Sequence, residues 1–218
     1  TKNNEFNEEK TDAAIQEGGA NAVDPALYQM LCDLRKELSA KLDIPPYVIF
    51  QDQSLEAMAT IYPVTMDELQ NIPGVGAGKA RRYGKEFCEL IKRWCEDNEI
   101  ERPEDMRVRM VAKKSTVKVN IIQAIDRQVD LNDIAMANGL EFPELLDEME
   151  SIVYSGTLIN IDFFRVENMG DDRIDDIYSY FKSSETDSID VAMDNLDEDY
   201  SEEEIRLVRI KFISEMAN

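Results

Sequence analysis

The stretch from Asn71 to Gly84, NIPGVGAGKARRYG, constrains the fold more than any other part of the chain. It holds four glycines in fourteen positions. Apolar residues at helical spacing precede and follow those glycines: Met66, Leu69 and Ile72, then Ala80, Tyr83 and Phe87. Helical spacing on both sides of a glycine-rich stretch predicts a tight turn between two helices.

Glycines before a lysine also suggest a nucleotide-binding loop, and the spacing tests that interpretation. Such a loop needs G-x-x-x-x-G-K followed by Ser or Thr, whose hydroxyl binds the metal ion. Here Ala80 follows Gly78 and Lys79, and Pro73 stands where the first glycine is required. An ATP site is therefore excluded at this position, which leaves a phosphate-binding turn or a purely structural one.

Hydrophobic periodicity and capping residues predict helices along most of the chain. Asp24-Pro25 marks a helix start, and Pro45-Pro46 ends that helix. Further helices are predicted at about 55–62 with Ser54 as its cap, after Thr65, and at about 77–97, 170–182, 186–194 and 201–216. Short extended segments are predicted at 47–50 and 157–164.

The charge of the chain is strongly negative and unevenly spread. The formal net charge is −22, of which −18 falls on residues 121–218, whereas residues 103–120 carry +3. No histidine is present, which removes the commonest general base and the usual catalytic triad. The three cysteines form no CxxC pair, so a Cys/His zinc site is excluded too. No apolar run approaches the ~20 residues that cross a bilayer, so we expect a soluble protein.

A helix-turn-helix is predicted in the stretch LNDIAMANGLEFPELLDEM, residues 131–149. Ala135 and Gly139 lie four residues apart and Leu145 follows, which fits a small residue at the crossing, a turn glycine and an apolar anchor. The second helix is crowded with carboxylates: Glu141, Glu144, Asp147, Glu148 and Glu150. Carboxylates repel phosphate, so we expect protein docking or self-regulation here rather than sequence-specific DNA reading. One interpretation is that this acidic surface competes with DNA for basic patches elsewhere.

Two sequence blocks in residues 26–97 resemble the HRDC domain, the helical module shared by RecQ-type DNA helicases and RNase D. The first block, PPYVIFQD, has the pattern Pro-Pro-Tyr-x-x-Phe-x-Asp, and the second is the Pro-Gly-Val-Gly turn with its Lys and Tyr-Gly. Residues 115–218 resemble, through their apolar spacing, the helix-turn-helix domain that follows HRDC in a subset of bacterial RecQ helicases. The whole therefore looks like the C-terminal part of a RecQ-type ATP-dependent DNA helicase.

This resemblance implies an all-α fold, an HRDC-like helical bundle followed by a second helical domain that contains the helix-turn-helix. The expected divisions are a flexible lead-in at 1–24, the HRDC domain at 25–100, a basic linker at 101–114 and an acidic helical domain at 115–218. The helicase motor's motifs and the family's zinc-binding cysteines are missing from this sequence. We therefore expect no enzymatic activity and no cofactor in this chain. ATP, Mg²⁺ and zinc would belong to the rest of a full-length bacterial 3′–5′ helicase, a cytoplasmic, nucleoid-associated protein of DNA repair and recombination.

For function, the resemblance implies an accessory module that binds single-stranded or branched DNA weakly. Backbone amides at Gly74 and Gly76 are expected to face a phosphate at the start of a helix. The cations expected to neutralise phosphates follow directly: Lys79, Arg81, Arg82 and Lys85. Tyr47 either stacks on a base or packs in the core, and the sequence leaves both open.

Two alternatives remain at this point. The chain can be a protein-interaction scaffold that docks to the helicase motor or to repair proteins without binding DNA, as its acidic C-terminal part suggests. It can also be the tail of an RNase D-type exonuclease, which would keep its nuclease carboxylates upstream.

Overall fold

The computed structural model describes residues 22–100, 102, 116–164, 169–196 and 199–216. These residues form eleven helices, and none of them lies in a β-strand. The all-α prediction is therefore confirmed. The predicted lead-in up to residue 21, and the predicted basic linker apart from Arg102, lie outside the described residues. None of the described helices combines the length and apolar character that crossing a bilayer requires.

Five helices build the first domain: α1 (Pro25–Leu42), α2 (Pro46–Ile49), α3 (Asp52–Ile61), α4 (Met66–Leu69) and α5 (Ala77–Asp97). α1 begins as predicted, because the Asp24 carboxylate accepts the N–H groups of Ala26 and Leu27 at 3.0 and 3.1 Å. The apolar helix faces enclose one core. Near its centre the ring of Phe50 meets that of Phe87 edge-on, with 4.9 Å between centroids.

Local predictions between residues 47 and 54 were wrong in two places. Residues 46–49 form the short helix α2 rather than an extended segment, because Pro46 is well suited to a first helical position. Ser54 does not cap α3, which begins at Asp52 after Gln51; instead the Ser54 hydroxyl donates to the carbonyl of Pro73 at 2.8 Å.

Six helices build the second domain: α6 (Thr116–Asp126), α7 (Leu131–Asn138), α8 (Phe142–Tyr154), α9 (Asp171–Ser183), α10 (Ile189–Asn195) and α11 (Glu202–Met216). α7 and α8 form the predicted helix-turn-helix, with Gly139 at φ 68° ending α7. The segment 157–164 connects α8 onward without forming a strand. α11 runs through the middle of this domain, since every residue from Glu204 to Ile210 is buried.

The two domains share a seam along α2. Its Tyr47 and Val48 are buried in the hydrophobic core of the second domain, whereas the next two residues, Ile49 and Phe50, belong to the core of the first. A four-residue helix therefore joins both cores, and the second domain covers part of the predicted site, beginning with Tyr47.

Candidate nucleic-acid interface

The glycine turn joins α4 to α5 as the sequence predicts. Gly74 adopts φ 75°, a conformation that side chains disfavour, and Gly76 stands immediately before α5. Gly84 lets the two helices approach closely, because a Cβ there would lie 2.4 Å from a methyl carbon of Leu69. The turn and the helix start are thus fixed by packing inside the first domain.

The start of α5 is covered by the end of α8. The Gly76 N–H donates to the carbonyl oxygen of Ser155 at 2.9 Å. A Cβ on Gly78 would lie 2.5 Å from the carbonyl oxygen of Gly156, and Gly156 itself adopts φ 89° against the backbone of Lys79. Glycine at positions 76, 78 and 156 is therefore needed for one backbone to approach another. The Gly76 amide meets a protein carbonyl, while Gly74 remains exposed.

Lys79 is buried between the two domains, with only 1% of its surface exposed. Its Nζ lies 5.7 Å from the ring centroid of Tyr154, and no atom of the described residues accepts a hydrogen bond from it. Burial lowers the pKa of the Lys79 amine to about 7, although the carboxylate of Asp187 acts in the opposite direction. This cation is not available at the surface in the arrangement observed.

Tyr47 lies in the seam as well. It is 5% exposed, and its hydroxyl donates to the carbonyl of Phe181 at 2.6 Å. Burial raises the pKa of its phenol. Of the two roles left open by the sequence, the structure shows core packing, and the Tyr47 ring cannot be reached by a base while the domains are in contact.

The remaining predicted cations are exposed and line one groove. Arg81, Arg82 and Lys85 border a cavity of about 430 Å³ together with Lys41 from the end of α1 and the carboxylate of Glu86. Its floor is apolar and is made of Leu38, Leu42, Ile44, Tyr83 and Met216. We call this feature the basic groove.

Few ion pairs tie up the cations of the basic groove. Lys85 Nζ lies 4.0 Å from Glu89 on an exposed part of α5, and no carboxylate of the described residues pairs with Arg81 or Arg82. Lys41 was missed from the sequence, because only the packing of α1 against α5 brings it near the other three. The groove can therefore neutralise phosphates with long side chains, although the Arg82 guanidinium also lies over the ring of Tyr83, 5.9 Å from its centroid.

The second helix of the helix-turn-helix, α8, uses its carboxylates inside the domain. Glu150 Oε1 accepts from Arg206 at 2.8 Å and from Arg209 at 2.7 Å, and Asp147 pairs with Arg206. Glu144 caps its own helix by accepting the Glu141 N–H at 2.9 Å. Other exposed positions of α8 include Pro143 and Ser151, so this face offers no arginine or lysine to a DNA groove.

Comparison with known proteins matches both halves of this architecture. A family model described as the HRDC domain matches residues 24–91, and one described as the RecQ-1-like, helix-turn-helix domain matches residues 115–165. The chain carries an HRDC domain followed by a RecQ-1-like helix-turn-helix domain. The resemblance drawn from the Pro-Pro-Tyr block and the glycine turn is thereby confirmed.

Parts of this chain are similar to parts of DNA helicases. The chain is 42% identical over 66 residues to the ATP-dependent DNA helicase RecQ of Bacillus subtilis and 39% identical over 77 residues to that of Haemophilus influenzae. It is also 35% identical over 94 residues to the ATP-dependent DNA helicase UvrD2 of Mycobacterium bovis. These matches cover 30%, 35% and 41% of this chain but only 11%, 12% and 13% of the relatives, so the chain spans a small part of their length.

Proposed function

We propose that this chain is a non-catalytic, nucleic-acid-binding region of a RecQ-type ATP-dependent DNA helicase, and that it holds DNA through the basic groove. The observation that carries the proposal is the gathering of Lys41, Arg81, Arg82 and Lys85 around one groove in a chain whose net charge is −22. Against that background, four cations at one site provide a local attraction for phosphate that the global charge conceals.

Single-stranded DNA is the substrate class that suits the groove. Apolar side chains, among them Tyr83, line it together with the four cations. An unstacked base can lie on an apolar floor as the backbone follows the cations, whereas a base inside a duplex is already stacked. With four phosphate contacts, binding is expected to be weak and strongly dependent on salt, with a logarithmic slope of about −3.

The wider role is part of the same proposal, which the helicase names of the relatives support. A full-length protein of this kind would unwind DNA in repair and recombination in the bacterial cytoplasm, at the nucleoid. ATP and Mg²⁺ would act in its motor and zinc in its middle region, and this chain would add only binding. The three relatives reported are named ATP-dependent DNA helicases, which supports the helicase proposal.

Fluorescence anisotropy with a labelled single strand of about 20 nucleotides, at about 20 mM and about 150 mM salt, tests the proposal. Replacing Arg81 and Arg82 together by Glu is expected to weaken binding at low salt by about tenfold or more. The matched control reverses Lys92 and Arg93, two exposed cations about 15 Å further along α5, and should change affinity much less. Equal losses in both variants, or no binding at low salt, would reject the basic groove.

A second function, docking to the helicase motor or to repair proteins, is favoured by one observation. The part of the chain after residue 120 carries −18, and exposed carboxylates lie on α9 and on α8. A pulldown of purified motor domains by the chain, with and without the single strand, separates the two functions. Motor capture in the absence of any DNA binding would favour docking over the basic groove.

A further inference from the structure

The helix-turn-helix domain presents oxygen atoms to the start of α5, as a nucleic acid would. The carbonyl oxygen of Ser155 accepts the Gly76 N–H, and the carbonyl oxygen of Gly156 lies over Gly78. The Asp187 carboxylate accepts from Gln51 Nε2 at 3.1 Å and acts electrostatically on Lys79. Amides at a helix start and a nearby amine are groups that bind phosphate oxygens.

We propose that the helix-turn-helix domain competes with single-stranded DNA for the glycine turn, so that the two bind it in mutually exclusive arrangements. In the closed arrangement, which is the one observed, DNA reaches only the basic groove. When the domains separate, the Gly76 amide, Lys79 and the ring of Tyr47 become available as further contacts. The inference rests on the proposed function, because it extends the DNA path from the basic groove to the adjoining end of α5.

Some features of the contact between the two domains stabilise it, and one destabilises it. Among the described residues, three hydrogen bonds join the domains near the turn, from Gly76 to Ser155, from Tyr47 to Phe181, and from Gln51 to Asp187. Burial of Tyr47 and Val48 in the second core favours closure. The buried Lys79 amine opposes closure, because no atom of the described residues accepts a hydrogen bond from it. A phosphate oxygen would provide that acceptor.

The basic groove lies beside the covered glycine turn, so DNA can bind the two sites one after the other. Arg81 and Arg82 lie two and three residues after Lys79, within one turn of the same helix, so DNA held in the groove is adjacent to the covered turn. Met216 of the helix-turn-helix domain forms part of the groove floor, so the same domain borders the open site and covers the closed one. DNA can therefore bind first at the groove and then displace the domain.

Hydrogen exchange of the full chain tests the displacement directly. With a saturating single strand, we expect the backbone of residues 153–158 to exchange about tenfold faster, because that segment loses its contact with α5. Unchanged or slower exchange there, in protein that does bind the strand, would overturn the inference while leaving the basic groove intact. Absence of DNA binding altogether would instead reject the proposed function.

Loosening the contact from the side of the helix-turn-helix domain provides a second test. Asp187→Ala removes the carboxylate that faces Gln51, Tyr154 and Lys79 but leaves the HRDC surface unaltered. We expect about three- to tenfold tighter binding of the single strand, since more of the protein is then in the open arrangement. The matched control is Asp190→Ala, which removes the same charge from an exposed position three residues away.

Asp187→Ala could unfold the second domain, and circular dichroism would then show a loss of helicity. A milder variant keeps the test usable in that event. Tyr47→Phe keeps the ring and removes only the hydroxyl bond to Phe181, with Tyr178→Phe, whose hydroxyl bonds Glu215 within the second domain, as its control. A loosened variant that binds no more tightly than its control overturns the competition.

Discussion

Helices α5 and α11 both carry two arginines close together, and the structure uses the two pairs in opposite ways. Arg206 and Arg209 of α11 are each 8% exposed and share the carboxylate of Glu150. Arg81 and Arg82 of α5 are exposed, and no carboxylate of the described residues pairs with them. The α11 arginines are structural, and the α5 arginines remain available to a ligand.

The difference comes from the helix that faces each pair. α8 brings Asp147 and Glu150 against α11, and the hydrogen bonds that Arg206 donates to Glu150 raise the pKa of Arg206. α5 turns its arginines toward a groove whose floor is apolar. Lys79 is a third case, because it is buried like the α11 arginines yet lacks a partner among the described residues. Counting basic residues in the sequence cannot separate these three situations.

The largest effect is expected when the shared carboxylate of the α11 pair is removed. Glu150→Ala leaves both Arg206 and Arg209 buried without their common partner, which should lower the free energy of unfolding by about 3 kcal/mol. Chemical denaturation followed by circular dichroism measures the loss. Glu203→Ala, at an exposed position of α11, is the matched control and should change stability by less than about 0.5 kcal/mol. Similar values for both variants would show that the α11 arginines are no more structural than surface cations.

The next largest effect is expected at Lys79, where replacing the lysine by methionine should raise the free energy of unfolding. Its pKa is about 7 in the folded chain and 10.5 in the unfolded one, so unfolding takes up a proton between those pH values. The free energy of unfolding therefore rises with pH across that window, and the penalty of the buried charge is present in full below about pH 7. Lys79→Met keeps an apolar chain of similar length and should gain on the order of 2 kcal/mol near pH 6.5.

The gain from Lys79→Met should shrink as the pH is raised to about 9, because the wild-type amine is then neutral when folded. The charged and titratable groups near the amine, Asp187, Tyr154 and Arg82, are common to both proteins and largely cancel in the difference. Lys92→Met on the exposed side of α5 serves as the control. A gain that stays constant or grows with pH would contradict the burial of a titrating amine at this position.

Much of the local structure could be predicted from the sequence because neighbouring residues decide it. The bounds of α5 follow from the glycine before it and the spacing within it, and the observed helix is Ala77–Asp97. The helix-turn-helix follows from Gly139 in the same way. Ser201 and Glu204 form the expected reciprocal cap, with the Ser201 N–H donating to the carboxylate at 2.8 Å.

What the sequence could not predict depends on residues far apart in the chain. Lys79 belongs by spacing with the basic side chains after it, yet Gly156 and Tyr154 cover it. Lys41 joins the basic groove from another helix, and no local pattern marks it. α11 is buried on all sides from Glu204 to Ile210, so a periodicity of 3.6 residues has no exposed face to reveal. Contacts between domains therefore decided which predicted site residues are accessible.

A smaller effect is expected to distinguish Asp147 from Glu150, the two carboxylates of the described residues that accept hydrogen bonds from Arg206. Asp147 is 70% exposed at its side chain and Glu150 only 16%. Asp147→Ala leaves Arg206 bound to Glu150, so we expect a loss of about 0.5 to 1 kcal/mol, well below that of Glu150→Ala. Raising the salt concentration should diminish the effect of Asp147→Ala more than that of Glu150→Ala. Equal losses of unfolding free energy in Asp147→Ala and Glu150→Ala would indicate that the two carboxylates act on Arg206 as one buried unit.

The smallest effect on stability is expected where the effect on DNA is largest. Arg81→Glu with Arg82→Glu removes no ion pair of the described residues, so the free energy of unfolding should stay within about 0.5 kcal/mol of wild type. The same variant should lose its affinity for a single strand, and its salt slope should become shallower by about 1.4, the value for two phosphate contacts. Denaturation and anisotropy on one preparation measure both quantities. A variant that lost stability together with binding would place the α5 arginines in the same structural role as those of α11, and the contrast between the two helices would disappear.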